Sequence, residues 1–266
     1  LRFKPRKVAP RLALLQQPLI WEDREANFQA FAQALAPLRG KVDVALLPAM
    51  FTTGFTMRPA GLAEHGAEHS VRWLRAQAQA LDAAVTGSVV VEAAGQYFNR
   101  LLWVTPDGAV SSYDKRHLFR MAREHEYYTA GDRGLLVEWR GFKIAPLICY
   151  DLRFPVWSRR RIGYDYDLLL YVANWPAVRR YPWQQLLRAR AIENLSYVAG
   201  VNRVGADGNG VSYAGDTAIV DFLGQPIAEL ADSAGVVTAT LDLVRQRQIR
   251  EKFPAHLDAD RFRLEP

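Results

Sequence analysis

The chain has 266 residues, of which 50% are hydrophobic and 23% are charged, a composition typical of a soluble globular protein with a sizeable core. A single cysteine excludes an intramolecular disulfide framework, and no apolar run approaches the roughly 20 residues that a membrane span needs. The net charge of +6 comes from scattered basic residues without a nucleic-acid-binding motif, and no signal-like segment is present, so we expect a cytoplasmic protein that binds neither nucleic acid nor membrane.

Helices and strands alternate along the first half of the chain. Apolar residues recur at i, i+3, i+4 and i+7 from Phe28 to Leu35, which is typical of an amphipathic helix. A second helix is predicted over 71–81. Apolar and β-branched runs predict strands at 11–17, 42–47, 86–91, 97–104 and 110–113. Two long loops, 49–66 and 114–134, interrupt this pattern, and loops of such length are more often functional than simple connections.

The second half of the chain continues the mixture of elements. Residues 135–139 and 142–148 are predicted to form a hairpin or an adjacent pair of strands. Further strands are predicted at 167–173, 197–201, 217–220 and 236–241, and helices at 156–162, 183–191 and 243–252. No repeat, linker or low-complexity segment divides the chain. We therefore expect one layered α/β domain that comprises residues 1–266.

The only cysteine, Cys149, directly follows the apolar strand predicted at 142–148. Free cysteine is most often a buried and inert core residue, so its position alone favours a structural role. Tyr150 and Asp151 break the apolar pattern immediately after it. Because the ends of strands in open sheets face the crevice where ligands bind, the thiol could also be held rigidly within reach of a substrate.

Three segments indicate which chemistry Cys149 could carry out. They are LLPAMFTTGF at 46–55, YDKRHLF at 113–119 and LICYDLRFP at 147–155. Together with EHEYYTAG at 124–131 and Asn-Trp-Pro at 174–176, they resemble the nitrilase, or carbon-nitrogen hydrolase, superfamily. The resemblance extends over essentially the whole chain in the right order. Within the superfamily the motifs look most like bacterial ω-amidases, with deaminated-glutathione amidases as close relatives.

The resemblance implies a four-layer α-β-β-α sandwich that associates into homodimers or larger homo-oligomers and needs no cofactor. The implied reaction is hydrolysis of the terminal amide of a small dicarboxylic monoamide, such as 2-oxoglutaramate, through a cysteine thioester. The partner is thus a small-molecule amide. A deaminated-glutathione-type amidase, a non-catalytic protein that binds ligands in the same pocket and a redox thiol remain as alternatives.

By resemblance, the catalytic group comprises Cys149 as nucleophile, Lys115 with the backbone N–H of Tyr150 as oxyanion donors, and Glu124 as an accessory carboxylate. Lys115 would also lower the pKa of the thiol. The alternatives are a surface salt bridge for Lys115 and a solvated loop carboxylate for Glu124.

The chain departs from the family at one catalytic position. The family has its glutamate directly after the proline of the first motif, whereas this sequence has Ala49 there. A methyl group cannot accept a proton, so we expect the chain to be nearly inactive. The replacement indicates either a deliberate inactivating change or a branch that lost or relocated its base, and the intact remaining motifs favour the former.

Other polar residues near the motifs carry weaker hypotheses. His117 or His125 could activate the thiol, and His65 with His69 has helical i, i+4 spacing, but no metal-site signature accompanies it. Asp151 and Arg153 could pair to shape the turn after the nucleophile. Family analogy places Asn174, Trp175 and Arg153 in the substrate pocket, with a core role as the alternative for Trp175. Which arginine holds the substrate carboxylate is left open between Arg120, Arg123 and Arg153.

Overall fold

The structure is a computed structural model that describes residues 9–264. Its strands are β1 (Arg11–Gln16), β2 (Val44–Leu46), β3 (Glu64–His65), β4 (Ala84–Ala93), β5 (Gln96–Val104), β6 (Val110–Asp114), β7 (Val137–Trp139), β8 (Phe142–Ile148), β9 (Leu168–Val172), β10 (Tyr197–Val201), β11 (Val204–Ala206), β12 (Ser212–Ala214), β13 (Thr217–Val220), β14 (Pro226–Leu230) and β15 (Gly235–Thr240). Its α-helices are α1 (Arg24–Leu35), α2 (Glu68–Leu81), α3 (Pro155–Ser158), α4 (Arg180–Asn194) and α5 (Leu243–Lys252).

Two sheets form the centre of the molecule. The first has the strand order β15-β1-β2-β4-β5-β6, with β3 paired to β4, and the second has the order β14-β13-β10-β9-β8-β7. Strands β1, β2 and β4 are parallel to one another, as are β8, β9 and β10. Such parallel strands bring their carboxyl ends to one edge of each sheet.

Alternating side chains of the first sheet enter two different cores. Leu12 and Leu14 of β1 pack in one cluster with residues of β8, β9 and β10 in the second sheet. Ala13 and Leu15 point the other way and pack with apolar residues of α1 and α2. This period of two follows from the pleat of a strand, and here both of its faces are buried. The sheets therefore lie face to face, with helices outside the first one.

Helix α4 covers the outer face of the second sheet. A Cβ atom built on Gly200 of β10 would meet the side chains of Leu187 and Trp183 at 2.7 and 2.8 Å, so the helix packs directly onto the strand. The four layers, helix-sheet-sheet-helix, confirm the predicted α-β-β-α sandwich. No helix within residues 9–264 is both long enough and apolar enough to cross a membrane.

Some predicted elements differ from those observed. The helix predicted at 156–162 is wrong beyond Ser158, because the backbone N–H of Arg160 donates to Asn194 and not to a preceding turn. The short hairpin of β11 and β12 and the edge strand β14 were not predicted, since their sequences are polar or exposed and lack a clear apolar alternation. Helix α1 begins earlier than predicted because the Asp23 carboxylate accepts from Ala26 N and caps it.

Candidate active site

Cys149 stands at a sharp turn between strand β8 and a short 3₁₀ helix, Cys149–Arg153. Its φ of 46° lies in the left-handed region, which costs a non-glycine residue on the order of 1–3 kcal/mol. The turn leaves the residue partly exposed, and its Sγ lies 3.7 Å from the carbonyl oxygen of Asn174. The surrounding fold offsets this cost and fixes the thiol at the end of the strand, beside the core.

The environment of the thiol disfavours its ionised form. Burial raises the pKa of Cys149 to about 11, although the nearby Lys115 ammonium acts in the opposite direction. Lys115 does act to lower the thiol pKa, as predicted, but desolvation outweighs this attraction and the net shift is upward. At neutral pH the group is a thiol that needs a proton acceptor before it can attack.

Lys115 and Glu124 form a buried ion pair. The ammonium donates to both carboxylate oxygens at 2.7 and 2.9 Å, with side-chain exposures of 1% and 0%. Glu124 also accepts the backbone N–H of Phe119 at 2.6 Å. Burial alone would lower the pKa of Lys115, but the Glu124 carboxylate raises it above the ordinary value. The alternatives of a surface salt bridge and a solvated loop carboxylate are therefore wrong.

Ala49 lies next to the nucleophile turn. Its backbone oxygen accepts from the side-chain amide of Asn174 at 2.6 Å, and its N–H donates to Ala173 at 3.4 Å. Asn174 thus contacts both Ala49 and Cys149, although 125 residues separate it from the former. The position is 2% exposed, and its methyl group offers no proton acceptor.

Asp151 connects the nucleophile turn to the lysine segment. Its carboxylate accepts from Ile148 N at 3.0 Å, from the Tyr113 hydroxyl at 2.7 Å and from the His117 backbone N–H at 3.0 Å. The predicted pair between Asp151 and Arg153 is wrong, because the carboxylate is fully buried while the arginine is exposed. The interior donors satisfy the carboxylate in place of the arginine.

The histidine hypotheses find no support in the geometry. The Nδ1 atom of His117 lies 2.8 Å from the Asp151 carboxylate, and its ring stacks on Phe154 at 3.8 Å, so these contacts of the ring are with Asp151 and Phe154. His125 is exposed, and His65 contacts Glu92 at the surface. Within residues 9–264 no three His, Cys, Asp or Glu side chains cluster as metal ligands would.

A narrow cleft of about 20 Å³ opens onto Cys149. Its lining residues are Phe55, Lys115, Phe119, Cys149, Tyr150, Arg153, Asn174, Trp175, Pro176 and Arg179. Three of them are cations and none is a carboxylate. A wider groove of about 950 Å³ lies between Arg160 and residues 256–263, but it contains neither the thiol nor Lys115, so the chemistry points to the narrow cleft.

The cleft brings together most of the predicted site residues. Cys149, Lys115, Tyr150, Asn174, Trp175 and Arg153 line it, and Glu124 lies behind Lys115. Tyr150 is the second residue of the 3₁₀ helix. The first backbone N–H groups of a helix have no acceptor within that helix. Trp175 lines the cleft, and its ring centroid lies 5.4 Å from that of Trp183 in the core.

Sequence reasoning missed Arg179, which lines the cleft wall. Its only signal was proximity, three residues beyond the Asn-Trp-Pro motif that ends at Pro176. Of the arginines considered instead, Arg123 pairs with Glu126 at the surface and Arg120 lies outside the cleft lining. Of the three predicted candidates, only Arg153 lines the cleft.

Comparisons with known proteins agree with this geometry. Residues 11–251 match the family described as carbon-nitrogen hydrolase. The chain is 52% identical over 255 residues to "Omega-amidase YafV" of Escherichia coli K12, covering 96% of this chain and 98% of that protein. It is 35% identical to "2-oxoglutaramate amidase" of Bacillus subtilis, over 81% of this chain and 84% of that protein. A crystal structure of a CN-hydrolase superfamily protein from Xanthomonas campestris, with an arsenic adduct in its active site, superposes with a TM-score of 0.95 at 49% identity, covering 97% of this chain and 99% of that one.

Proposed function

The chain belongs to the carbon-nitrogen hydrolase family, and from that premise we propose that its fold hydrolyses the terminal amide of a small dicarboxylic monoamide, with 2-oxoglutaramate as the representative substrate. Relatives that are named omega-amidase and 2-oxoglutaramate amidase support this substrate class. The observation that carries the proposal is the charge of the cleft. Besides Lys115, which pairs with Glu124, its wall contains Arg153 and Arg179, which form no ion pair within residues 9–264; this suits an amide that bears a second, anionic end.

In the proposed reaction the sulfur of Cys149 attacks the amide carbon and forms a tetrahedral intermediate. The ammonium of Lys115 and the backbone N–H of Tyr150 stabilise its oxyanion; both residues line the cleft together with Cys149. Collapse of the intermediate releases ammonia and leaves a thioester. Water then attacks the thioester carbon, which frees the carboxylic acid and regenerates the thiol. Glu124 holds Lys115 in place throughout.

The first half-reaction requires a group that takes a proton from the thiol and delivers it to the leaving ammonia. The second requires a group that takes a proton from water and returns it to the leaving sulfur. Ala49 cannot do so. Because the pKa of the Cys149 thiol is raised, little thiolate is present at neutral pH without a base. Loss of general base catalysis typically costs on the order of 10²- to 10⁴-fold in rate. The present chain is thus a base-deficient form of an amidase. The same deficit favours a second candidate function, a protein that binds ω-amides in this cleft without turning them over.

A matched pair of variants separates these functions. Ala49→Glu supplies a carboxylate at position 49, whereas Ala49→Gln has nearly the same shape but cannot accept a proton. We expect Ala49→Glu to release ammonia from 2-oxoglutaramate at least on the order of 100-fold faster than Ala49→Gln. If a folded Ala49→Glu protein releases no ammonia from any small ω-amide, the proposed amidase activity is excluded. If it hydrolyses deaminated glutathione faster than 2-oxoglutaramate, the assigned substrate becomes deaminated glutathione.

We further propose that the protein acts in the cytoplasm as a homodimer or a larger homo-oligomer, as the family resemblance implies. Val178 and Tyr181, near the start of α4, are 80% and 69% exposed, and association would remove such apolar area from water. Light scattering coupled to size-exclusion chromatography measures the mass directly. A mass of one 30.0 kDa chain at micromolar concentration would refute the association.

A further inference from the structure

We infer that the guanidinium groups of Arg153 and Arg179, which line the cleft together with Trp175, bind the distal carboxylate of the substrate. The inference rests on the proposed function, since it assigns the receptor for the second end of the same ω-amide. Trp175 links the two arginines: its indole N–H donates to the backbone oxygen of Arg179 at 2.8 Å, and its ring lies 5.4 Å beneath the guanidinium of Arg153.

Arg179 is positioned by weak contacts that a carboxylate can replace. Its guanidinium lies 5.6 Å over the ring of Phe119, and its Nη2 donates to the thioether sulfur of Met121. Thioether sulfur is a poor acceptor, whereas a carboxylate accepts two parallel bonds from the guanidinium fork. No carboxylate within residues 9–264 pairs with Arg179. These two contacts therefore orient the guanidinium and leave most of its hydrogen-bonding capacity for a ligand.

Arg153 is likewise held over an aromatic ring. Its guanidinium carbon lies 5.4 Å from the centroid of the Trp175 ring, and no carboxylate in the described part of the chain forms an ion pair with it. The residue lines the cleft and is exposed, so an anion that enters the cleft can reach its guanidinium. Stacking on an aromatic face is a geometry that arginine supports and lysine does not.

The neighbouring cations are already neutralised or lie elsewhere. Lys115 is held by Glu124, Arg180 pairs with Asp216 and Arg123 pairs with Glu126. Arg120 is exposed and does not line the cleft. The two arginines beside Trp175 are thus the cleft-lining cations that lack a carboxylate partner within residues 9–264. If a dicarboxylic monoamide bound with its amide at Cys149, its distal carboxylate would neutralise the charge of these two arginines.

The experiment needs no turnover and uses the chain with Ala49 in place. The two probes are 5-bromo-4-oxopentanoate, which has a distal carboxylate, and its methyl ester, which does not. In each case the Cys149 thiol first loses its proton to solvent. The thiolate then attacks the CH₂–Br carbon, a C–S bond forms, and bromide leaves with the electrons of the broken C–Br bond. Because the chain has one cysteine, mass spectrometry of the intact protein measures labelling at that site.

We expect Arg179→Gln and Arg153→Gln each to lower the ratio of acid to ester labelling rates on the order of 10-fold, and the double variant on the order of 100-fold. The control Arg120→Gln removes the same charge outside the cleft and should leave the ratio unchanged. As a measurement without a variant, glutarate should protect the unaltered chain from the ester, whereas diethyl glutarate should not.

An unchanged ratio in both cleft variants, or an equal slowing of both probes, would overturn the inference, because the arginines would then act on shape alone. Lack of protection by glutarate would do the same. The proposed function fails separately. If Ala49→Glu releases no ammonia while the ratio of acid to ester labelling rates falls as expected, the two arginines bind a carboxylate but the proposed amidase activity is refuted. If Ala49→Glu releases ammonia while this ratio is unchanged, the amidase activity is supported but the arginines do not bind the carboxylate.

Discussion

The ammonium of Lys115 is held by both oxygens of Glu124, at 2.7 and 2.9 Å, in a place that solvent does not reach. Removing one member of a buried ion pair leaves the other charge without compensation, which costs about 3–5 kcal/mol. We therefore expect Lys115→Met and Glu124→Gln each to lower the free energy of unfolding by about that amount. The double variant buries no unpaired charge and should lose much less than the sum of the two.

Urea denaturation of the three variants and the parent chain gives the coupling energy directly. The pKa of Lys115 is raised in the folded state, so the stabilisation is present at neutral pH and decreases only as the pH rises through that raised pKa. Additive losses in the double variant would contradict a buried, mutually compensating pair.

The reactivity of Cys149 should depend steeply on pH. Burial places the thiol pKa at about 11, and the thiolate is the reactive form. The rate of labelling by iodoacetamide should therefore rise about tenfold per pH unit from pH 7 to 10. Stopped reactions analysed by mass spectrometry give this profile, and Lys115→Met should lower the rates further, since the ammonium favours the thiolate. A plateau below pH 8 would contradict the assignment.

The carboxylate of Asp151 should stabilise the site, because it connects the turn that carries Cys149 to the segment that carries Lys115. Asp151→Asn replaces an acceptor that bonds Ile148, Tyr113 and His117, and an amide cannot accept all three with the same strength. We expect a loss of about 2–4 kcal/mol in the free energy of unfolding, together with slower labelling of the thiol. Asp132→Asn, at an exposed carboxylate, is the control and should change stability by less than about 0.5 kcal/mol. Equal effects of the two substitutions would refute the positioning role.

Position 131 requires glycine, because the backbone there passes very close to the backbone of Asp114, next to Lys115. A Cβ atom at this position would lie 2.2 Å from the backbone oxygen of Asp114, and the Gly131 N–H donates to the Lys115 oxygen at 2.9 Å. Gly131→Ala must therefore displace the backbone that carries Lys115. We expect a loss of about 1–3 kcal/mol, measured by thermal unfolding, and a lower labelling rate of Cys149. The exposed neighbour Ala130 provides the control substitution, Ala130→Ser, which should leave both quantities unchanged.

The amino-acid sequence by itself determined the mixed helices and strands, the polar residues at strand ends and the motifs that contain Lys115, Cys149 and Ala49. These features depend on neighbours in the chain, on hydrophobic periodicity and on short residue patterns. They were sufficient to predict the fold class and the family. They also identified the absence of a carboxylate at position 49, because a side chain's chemistry is known without its surroundings.

Only the tertiary structure decided the electrostatics and the walls of the site. The packing of two sheets brings Asn174 to Ala49, excludes water from the ion pair of Lys115 and Glu124, and desolvates the thiol. It also turns Asp151 inward, away from Arg153, and places Arg179 on the cleft wall. Asn174 and Ala49 are 125 positions apart in the chain, and even for closer pairs burial and charge pairing depend on distance in space, which no local pattern encodes.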